Sequence, residues 1–311
     1  MGEPEMIVAL AGGVGGSKLV LGFSKVLPPD QLSIIGNTGD DIELWGLRIC
    51  PDLDTLTYTL SGMVNPRTGW GIREDSFACL EAVAKLGAPD WFKLGDRDLA
   101  THLWRTLQLK EGLSLTQATA NICESLGVEH TLLPMTDSYV PTYVLTDQGE
   151  LHLQEYLVRE GCRPVIRGFK HLNMEKAQPA PGVSDTIMAA KAIFLCPSNP
   201  LISINPILAV PGLRELLCSA QAPVIAVTPI MEGRAIKGPA AKMLQELGYP
   251  VSPVSIAQIY QGLLDGFVLD ERDAELREEI EALNIKVLTA DTLMESIEDK
   301  ITLADRLLEA L

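Results

Sequence analysis

Short apolar runs alternate with amphipathic segments along most of this chain. Runs of strand length separated by segments of helical periodicity are typical of βαβ units, whose strands pair in parallel. The pattern predicts an α/β fold, namely a Rossmann-like, mostly parallel sheet flanked by helices. Several runs lead directly into Gly, Pro, Asn or Asp, at the strand end where open α/β sheets contact ligands. The predicted buried strands are residues 6–11, 32–36, 193–196, 224–228, 267–269 and 286–289.

The pattern of apolar positions changes between residues 141 and 158. Leu151, Leu153 and Tyr156 follow an Asp-Gln-Gly turn at 147–149, and a short apolar segment precedes that turn. Two such segments joined by a tight turn predict an antiparallel β-hairpin.

Helical periodicity fills most of the interval before this hairpin. Ser114 and Gln117 spell a capping box, which predicts a helix that begins there and ends near Gly127. Two further helices are predicted at 74–87 and 98–109. We therefore expect one domain over residues 1–311, with a helical and β-hairpin elaboration that binds substrate inserted at about 65–165.

Composition narrows the classes of protein that fit. The 41 acidic and 25 basic side chains of the 311 residues give a net charge of −16, which argues against a nucleic-acid partner. No apolar stretch approaches the roughly 18 residues of a membrane span, and the N-terminus lacks the basic region of a signal peptide. The six cysteines include no CxxC pair, which argues against a zinc knuckle and a redox dithiol. Four of them lie in apolar runs, where a reduced cysteine acts as a small hydrophobe, which indicates a reducing compartment. We expect a cytoplasmic protein with no membrane contact.

A glycine-rich loop follows the first predicted strand and precedes a helical segment. Glycine allows a close approach of the backbone to a ligand, and the helix N-terminus offers unpaired N–H groups, so phosphate is the natural ligand. The sequence of this loop, Ala-Gly-Gly-Val-Gly-Gly-Ser-Lys at 11–18, matches neither the Walker loop nor the dinucleotide-binding fingerprint. It therefore argues against a generic ATPase and a standard NAD enzyme. A tight turn without a ligand is the alternative. The residues expected around phosphates are Gly12, Gly13, Gly15, Gly16 and Lys18.

Four aspartates follow the second predicted strand. Asp40 and Asp41 come directly after it, and Asp52 and Asp54 stand a little further on. Mg²⁺ takes one or two carboxylates and completes its shell with water and substrate phosphate, so these residues predict a magnesium site. Aspartate also serves in turns and helix caps, and Asp52 is placed to cap the helix that follows.

A third polar cluster begins at Lys93. Lys93 and Arg97 are cations in an acidic chain, and they suit a phosphate or a polarised ring oxygen. We expect Asp98 to cap the next helix. His102 has no second His or Cys at ligand spacing, so it is interpreted as a structural or surface imidazole.

Ser198 and Asn199 follow a predicted strand in a Pro-Ser-Asn-Pro turn. Both side chains can bind a base or a phosphate, although a plain turn explains them equally. The chain has no GxSxG elbow and no credible Cys-His pair, so nucleophilic catalysis finds little support. The residues alone predict a Mg²⁺-assisted, phosphate-handling α/β protein with an anionic ligand.

Eight segments in the same order resemble the 2-phospho-L-lactate transferase family of coenzyme F-420 biosynthesis. They include Ala-Gly-Gly-Val-Gly-Gly-Ser-Lys, Pro-Asp-Leu-Asp-Thr and Gly-Asp-Arg-Asp, and together they cover nearly the whole chain. The segments are residues 11–18, 37–41, 49–55, 69–72, 94–102, 133–135, 197–200 and 290–294.

The resemblance implies a reaction. A guanosine diphosphate ester of lactate, enolpyruvate or a related three-carbon acid donates its phosphorylated acid to the terminal hydroxyl of FO, 7,8-didemethyl-8-hydroxy-5-deazariboflavin. GMP is released, Mg²⁺ is required, and the protein is a homodimer. The spelling at residues 15–17 resembles the bacterial branch, which favours the enolpyruvyl donor.

The resemblance also implies roles for individual residues. Asp54 and Lys93 are expected at FO, and Asp54 either takes the hydroxyl proton or holds the metal. Asp40 and Asp41 are expected near the metal, with Asp54 as a third ligand and Asp41 as a second catalytic residue. By physical inference from the residues, rather than from the resemblance, Ser198 and Asn199 are expected near the nucleotide, and the glycine loop with Lys18 near the donor phosphates.

Two other functions remain open from the sequence. One is a regulatory protein of the same superfamily, of the gluconeogenesis-factor type, which binds nucleotide sugars without a demonstrated transfer. The other is a Mg²⁺-dependent nucleotide hydrolase. Binding of FO distinguishes the regulator from the transferase, and GMP release in the absence of FO distinguishes the hydrolase.

Overall fold

A seven-stranded sheet, parallel throughout, forms the centre of the computed structural model, which describes residues 5–311. In chain order, the strands of the described residues are β1 (Met6–Ala11), β2 (Leu32–Gly36), β3 (Ile42–Leu44), β4 (Leu47–Ile49), β5 (Thr131–Pro134), β6 (Thr142–Thr146), β7 (Gly149–His152), β8 (Ile166–His171), β9 (Ala190–Leu195), β10 (Val224–Val227), β11 (Ile230–Met231), β12 (Arg234–Ala235), β13 (Gly266–Asp270) and β14 (Lys286–Ala290).

The helices connect these strands. In chain order they are α1 (Gly13–Val26), α2 (Pro51–Leu60), α3 (Ala78–Lys85), α4 (Asp96–Lys110), α5 (Leu115–Ser125), α6 (Val183–Met188), α7 (Asn205–Ala209), α8 (Leu213–Ser219), α9 (Ala240–Glu246), α10 (Pro253–Ile259), α11 (Arg277–Glu281) and α12 (Ile297–Glu309). Short 3₁₀ or π-helical turns lie at Pro29–Gln31, Glu155–Arg159, Met174–Lys176, Pro200–Ile204 and Glu271–Leu276.

The order of the central sheet is β14-β13-β10-β9-β1-β2-β5. Chain order runs outward from β1 to one edge, then returns to β9 and runs to the other edge. This is the doubly wound order of Rossmann-type folds, in which ligands bind where the strand order reverses. Here that point lies between the carboxyl ends of β1 and β9, which pair from Met6 to Leu10.

Both faces of the sheet are covered, which explains why its strands are continuous apolar runs. On β1, Val8 and Leu10 pack on one side, and Ile7 and Ala9 pack on the other. Helices α1 and α12 cover the second side, where the rings of Phe23 and Phe194 lie 5.0 Å apart. Helices α6, α8, α9 and α10 pack on the first.

The predicted α/β class is confirmed, and all six predicted strands belong to the central sheet. The antiparallel hairpin is confirmed as β6 and β7, which β8 extends to a three-stranded sheet. Its predicted end is wrong, because Tyr156 lies in a π-helical turn and not in a strand.

The interval 65–165 differs from the prediction in two other elements. Helix α3 is shorter than the predicted 74–87, because Glu74 has a positive φ of 53° and the chain turns before Ala78. Strand β5, which was not predicted, pairs with β2 as an edge of the central sheet. The interval therefore contributes to the core as well as to the elaboration.

Within residues 5–311, no single helix has both the length and the apolar character to cross a membrane. The segments Pro200–Ala209 and Leu213–Ser219 meet those criteria only as a pair, across a bend of 85°.

Candidate active site

A cavity of about 570 Å³ opens at the point where the strand order of the sheet reverses. Gly12 and Gly13 line it after β1, and Pro197 and Asn199 line it after β9. Residues that follow β2, β10 and β14 complete that end of the cavity, with Asp40, Pro229 and Thr292. Helices α2 and α4 supply side chains from the opposite wall.

The glycine loop packs so closely on its neighbours that larger residues do not fit. A Cβ on Gly12 would overlap the carboxylate of Asp52, and a Cβ on Gly15 would overlap the carbonyl of Pro197. Gly13 has a positive φ of 61°, a conformation that glycine adopts without strain. The N–H of Gly12 donates to Ser198 Oγ over 3.1 Å, which ties the loop to the turn after β9.

Two of the predicted phosphate ligands lie behind the cavity wall. A Cβ on Gly16 would overlap Ser198 Oγ, so Gly16 faces the β9 turn rather than the cavity. Ser198 is buried and bonded to Gly12, and it is not among the lining residues. Gly12, Gly13, Gly15, Lys18 and Asn199 do line the cavity.

Asp40 and Asp52 are two buried carboxylates on the cavity wall. Nδ2 of Asn37 donates to both, over 3.4 Å to Asp40 and 2.9 Å to Asp52. Burial, together with the charges of Asp52 and Asp41, raises the pKa of Asp40 well above its usual range. Burial raises the pKa of Asp52 to about 6. Among residues 5–311, neither carboxylate forms an ion pair, so the site concentrates negative charge.

Asp41 and Asp54 each bind an arginine instead. Arg48 pairs with Asp41 at 2.8 Å, and the Cys50 thiol donates to the same oxygen over 3.1 Å. Burial still raises the pKa of Asp41 to about 6. Asp41 does not line the cavity, whereas Asp54 does. Both carboxylate oxygens of Asp54 accept from the guanidinium of Arg105.

This pairing changes the expected metal site. Within residues 5–311 no three His, Cys, Asp or Glu side chains converge as metal ligands. The predicted set Asp40, Asp41 and Asp54 is therefore not a preformed metal centre, because two of its members are neutralised by arginines. Of the four aspartates that follow β2, Asp40 and Asp52 line the cavity without a cationic partner among residues 5–311.

The side chain of Asp52 does not cap helix α2, so that interpretation of the sequence is wrong. Cys50 occupies the N-cap position without a side-chain hydrogen bond, and Pro51 begins the helix. Because proline fixes the first turn without a donor, the carboxylate of Asp52 is free to face the glycine loop.

Asp98 does not cap α4 either. The carboxylate of Asp75 accepts the N–H groups of Arg97 and Asp98 over 2.9 and 3.0 Å, from a loop more than twenty residues away in sequence. Asp98 is released to accept the Tyr58 hydroxyl over 2.8 Å. His102 is 1% exposed and lines the cavity, so it is not a surface imidazole.

Three lysines line the cavity, namely Lys18, Lys93 and Lys237. The Nζ of Lys18 donates to the Met294 carbonyl over 2.6 Å, and that of Lys93 lies 3.4 Å from the Asp90 carbonyl. None of the three pairs with a carboxylate among residues 5–311, so each can bind an anion. Burial and the charge of Lys18 lower the pKa of Lys237.

Lys237 and the aromatic side chains Trp70 and Phe92 also line the cavity, although none of them was predicted as a site residue. Lys237 stands between glycine and isoleucine with no motif around it, so only the fold brings it to Lys18. Trp70 lies within the Gly-Trp-Gly-Ile segment at 69–72, and Phe92 lies next to Lys93 just before the segment at 94–102. The aromatic content of those motifs was the available signal.

The sequence of this chain is similar to those of several known proteins. Residues 7–305 match the family model described as 2-phospho-L-lactate transferase CofD. A phosphoenolpyruvate transferase of Streptomyces griseus is 40% identical over 309 residues, covering 97% of both chains. A 2-phospho-L-lactate transferase of Methanosarcina mazei is 37% identical over 304 residues, covering 98% of this chain and all of the other.

Solved structures share the fold. A member of the UPF0052 family from Bacillus halodurans superimposes with a TM-score of 0.69, covering 99% of both chains, at 14% sequence identity. This similarity concerns the architecture alone.

Proposed function

The chain belongs to the 2-phospho-L-lactate transferase family, and we propose that it transfers a phosphorylated three-carbon acid to the terminal hydroxyl of FO. The donor in this proposal is a guanosine diphosphate ester of the acid, and GMP is the second product. One observation carries the proposal: a single cavity at the switch point of the sheet combines a glycine loop, two unpaired buried carboxylates and three unpaired lysines.

The carboxylate pair fits a magnesium ion. Asp40 and Asp52 are hard oxygen ligands that lack a cationic partner among the described residues, and their raised pKa values show the cost of holding both charges without one. Mg²⁺ takes one or two protein carboxylates and leaves its other positions to water and phosphate. When bound, it would neutralise charge on the donor phosphates.

The protein's own donors would hold the donor diphosphate. The N-terminus of α1 borders the cavity through Gly13, Val14 and Gly15, so its backbone N–H groups and the positive end of its dipole can bind a phosphate there. Lys18 and Lys237 supply two cations at the same end. Asn199 can bind the nucleotide, although its Oδ1 already accepts the N–H of Leu201. Such fixed donors stabilise the charge that develops on the transferred phosphorus.

The acceptor would occupy the wall formed by α2 and α4. Asp54 can accept a hydrogen bond from a hydroxyl of FO, and Lys93 can bind a ring oxygen. Trp70 is 48% exposed and Phe92 is half-buried, and both line the cavity, so they offer aromatic surface to the deazaflavin ring. The enolpyruvyl donor is the one we expect, because the glycine loop resembles the bacterial spelling.

The proposal extends to the assembly and location of the protein, a cytoplasmic homodimer. Helix α4 carries Leu103, Trp104 and Leu107, each about half exposed (52%, 50% and 45%), which a second copy could cover. Sedimentation equilibrium measures the state directly, and a monomer at micromolar concentration would remove the dimer from the proposal.

Activity is tested with purified protein, Mg²⁺, FO and each donor ester in turn. FO is fluorescent, so titration with protein measures its binding, and chromatography measures GMP. We expect saturable FO binding and GMP release only when FO is present, fastest with the enolpyruvyl donor. Equal GMP release without FO would instead indicate a nucleotide hydrolase. A response to nucleotide sugars without any response to FO would indicate the regulatory function, which the similarity to named transferases does not favour.

A further inference from the structure

Lys237 lies where two walls of the cavity meet. It follows β12, and its Nζ donates to the carbonyl of Thr68, in the loop after α2. A Cβ on Gly69 of that loop would lie 3.1 Å from the same Nζ and would overlap Cγ1 of Val14, in the first turn of α1. The ammonium group therefore lies beside both the glycine loop and the loop that carries Trp70, and all three segments line the cavity.

The charge of Lys237 is not balanced by the protein. Within residues 5–311 its ammonium group bonds to a carbonyl oxygen and forms no ion pair with a carboxylate. Burial lowers the pKa of Lys237, and the positive charge of Lys18 lowers it further. Two cations that repel each other in one cavity favour the binding of an anion, because an opposite charge stabilises the protonated form of both.

The segment around Lys237 offers a ligand one charge and otherwise apolar surface. Ile236, Gly238, Pro239 and Ala240 also line the cavity, and none of them has a side chain that forms hydrogen bonds. A single cation in such surroundings suits a small acid, which combines one carboxylate with a short carbon skeleton.

The proposed donor carries two kinds of anion, the diphosphate and the carboxylate of its three-carbon acid. The diphosphate has ligands without Lys237, namely the N-terminus of α1 and Lys18, whose Nζ is held by the Met294 carbonyl over 2.6 Å. A magnesium ion at Asp40 and Asp52 would neutralise it further. The carboxylate needs a cation of its own, because burial of an unpaired charge is unfavourable.

The geometry of the transfer places the acid beside the line of reaction. The attacking hydroxyl and the leaving GMP oxygen lie on opposite sides of the phosphorus, so the oxygen that carries the acid lies to the side of that axis. The acid therefore projects at the boundary between the donor and acceptor subsites. Lys237 lies at this boundary, because Val14 belongs to the donor loop and Thr68 comes two residues before Trp70 of the acceptor subsite.

We propose that Lys237 binds the carboxylate of the three-carbon acid and determines the specificity of the cavity for a carboxylated donor. The acid stays bonded to phosphorus throughout the transfer, so this contact orients the donor and takes no part in the making or breaking of bonds. The inference rests on the proposed function, and it gives Lys237 a role separate from that of Lys18 at the diphosphate.

Two donor esters that differ only in the carboxylate test the proposal. The guanosine diphosphate esters of lactate and of lactamide have nearly the same size, and the amide lacks the negative charge. Isothermal titration with Mg²⁺ and without FO measures their binding while no transfer takes place. Hydrogen bonds between charged groups favour binding by roughly 10- to 100-fold, so the wild type should prefer the lactate ester by about that factor.

The variant Lys237→Met should bind the two esters equally, because methionine keeps most of the aliphatic side chain and loses the charge. Its affinity for GDP should equal that of the wild type, because GDP has the diphosphate but no acid. Lys237→Arg should restore most of the preference, since a guanidinium also binds carboxylates. Lys18→Met is the matched control, and it should weaken the binding of GDP and both esters alike while the preference for the lactate ester remains.

A Lys237→Met protein that still prefers the lactate ester would overturn the inference. So would an equal loss of affinity for GDP and the lactate ester, because Lys237 would then bind phosphate. The wild-type comparison needs no variant, and equal binding of the two esters by the wild type would also overturn the inference. Wild-type protein that binds neither ester nor GDP, or that releases no GMP with FO and any donor, would overturn the proposed function instead, so the two failures are distinguishable.

Discussion

At the scale of single residues, the buried carboxylate of Asp52 lowers the free energy of unfolding when it is ionised. Its pKa is raised by burial to about 6, so the folded protein binds this proton more tightly than the unfolded chain does. Ionisation of Asp52 therefore lowers the free energy of unfolding. As the pH rises, this loss begins near the unfolded pKa of about 4 and is complete above the folded pKa of about 6. A buried carboxylate that lowers stability and lines a cavity is a candidate functional residue.

We predict that Asp52→Asn stabilises the protein at pH 8 and abolishes transfer. The gain should be about 3 kcal/mol, from roughly 1.4 kcal/mol per unit of pKa between 3.8 and about 6, and it should shrink towards zero below about pH 4. Urea unfolding at several pH values measures it. Mg²⁺ should raise the Tm of the wild type and have less effect on the variant, because one of two proposed ligands is lost.

The control for this experiment is Asp270→Asn, which should show the opposite sign. Burial opposes ionisation of Asp270, but hydrogen bonds from Arg272 and Thr292 outweigh it and lower the pKa of the carboxyl. Ionised Asp270 therefore stabilises the fold above pH 4, and this contribution is lost on acidification. Asp52→Asn that destabilises the protein at pH 8 as Asp270→Asn does would contradict our account of Asp52.

The sequence indicated several residues that line the cavity, but it did not indicate which side chains they pair with. The glycine loop, Asp40, Asp54 and Lys93 could be found because they stand beside predicted strand ends or in recognisable motifs. The arginines that neutralise Asp41 and Asp54 could not, because Arg48 lies on a short strand and Arg105 in the middle of α4. Both reach their carboxylates only through tertiary packing. Two of the three aspartates expected at the metal are therefore paired with arginines that the sequence does not indicate.

At the scale of elements, the core strands were predictable because burial on both faces makes them continuous apolar runs. Strand β5 was missed because its four residues include Pro134 and follow a polar turn, and an edge strand tolerates both. The N-terminus of α4 was misassigned because its cap comes from Asp75 in another loop. Local cap rules cannot identify such a partner.

The contact between α1 and α12 makes a prediction at this scale. A Cβ on Gly22 would overlap the backbone carbonyl of Lys300, which cannot move without shifting α12. Alanine is favoured over glycine in a helix, but overpacking outweighs that gain, so Gly22→Ala should lower the free energy of unfolding by roughly 1–2 kcal/mol. Chemical denaturation measures the loss. Gly168→Ala is the control, because its Cβ would meet only Leu145 Cδ1 at an ordinary 3.6 Å. Equal free energies of unfolding for the two variants would contradict this prediction, because they would mean that α12 moves away from α1 without loss of stability.

At the scale of the whole molecule, the inserted elaboration shares its core with the sheet. Val144, Leu153 and Tyr156 of the elaboration belong to the same buried cluster as Val8 and Leu10 of β1. A separate cluster around Ile42, Ile49 and Leu94 is small, and a handful of buried side chains cannot stabilise a separate unit. The ion pair between Arg105 and Asp54 also ties α4 to α2.

We therefore predict that residues 1–311 unfold as one cooperative domain. The four tryptophans, Trp45, Trp70, Trp91 and Trp104, all lie in or beside the elaboration, whereas the far-ultraviolet circular dichroism reports the helices of the whole chain. Urea transitions followed by tryptophan fluorescence and by circular dichroism should coincide in midpoint and slope. A fluorescence transition at lower urea would mean that the elaboration unfolds first and is a separate domain. Saturating FO should then move the fluorescence transition alone, whereas in a single domain it moves both equally, because ligand binding stabilises the whole cooperative unit.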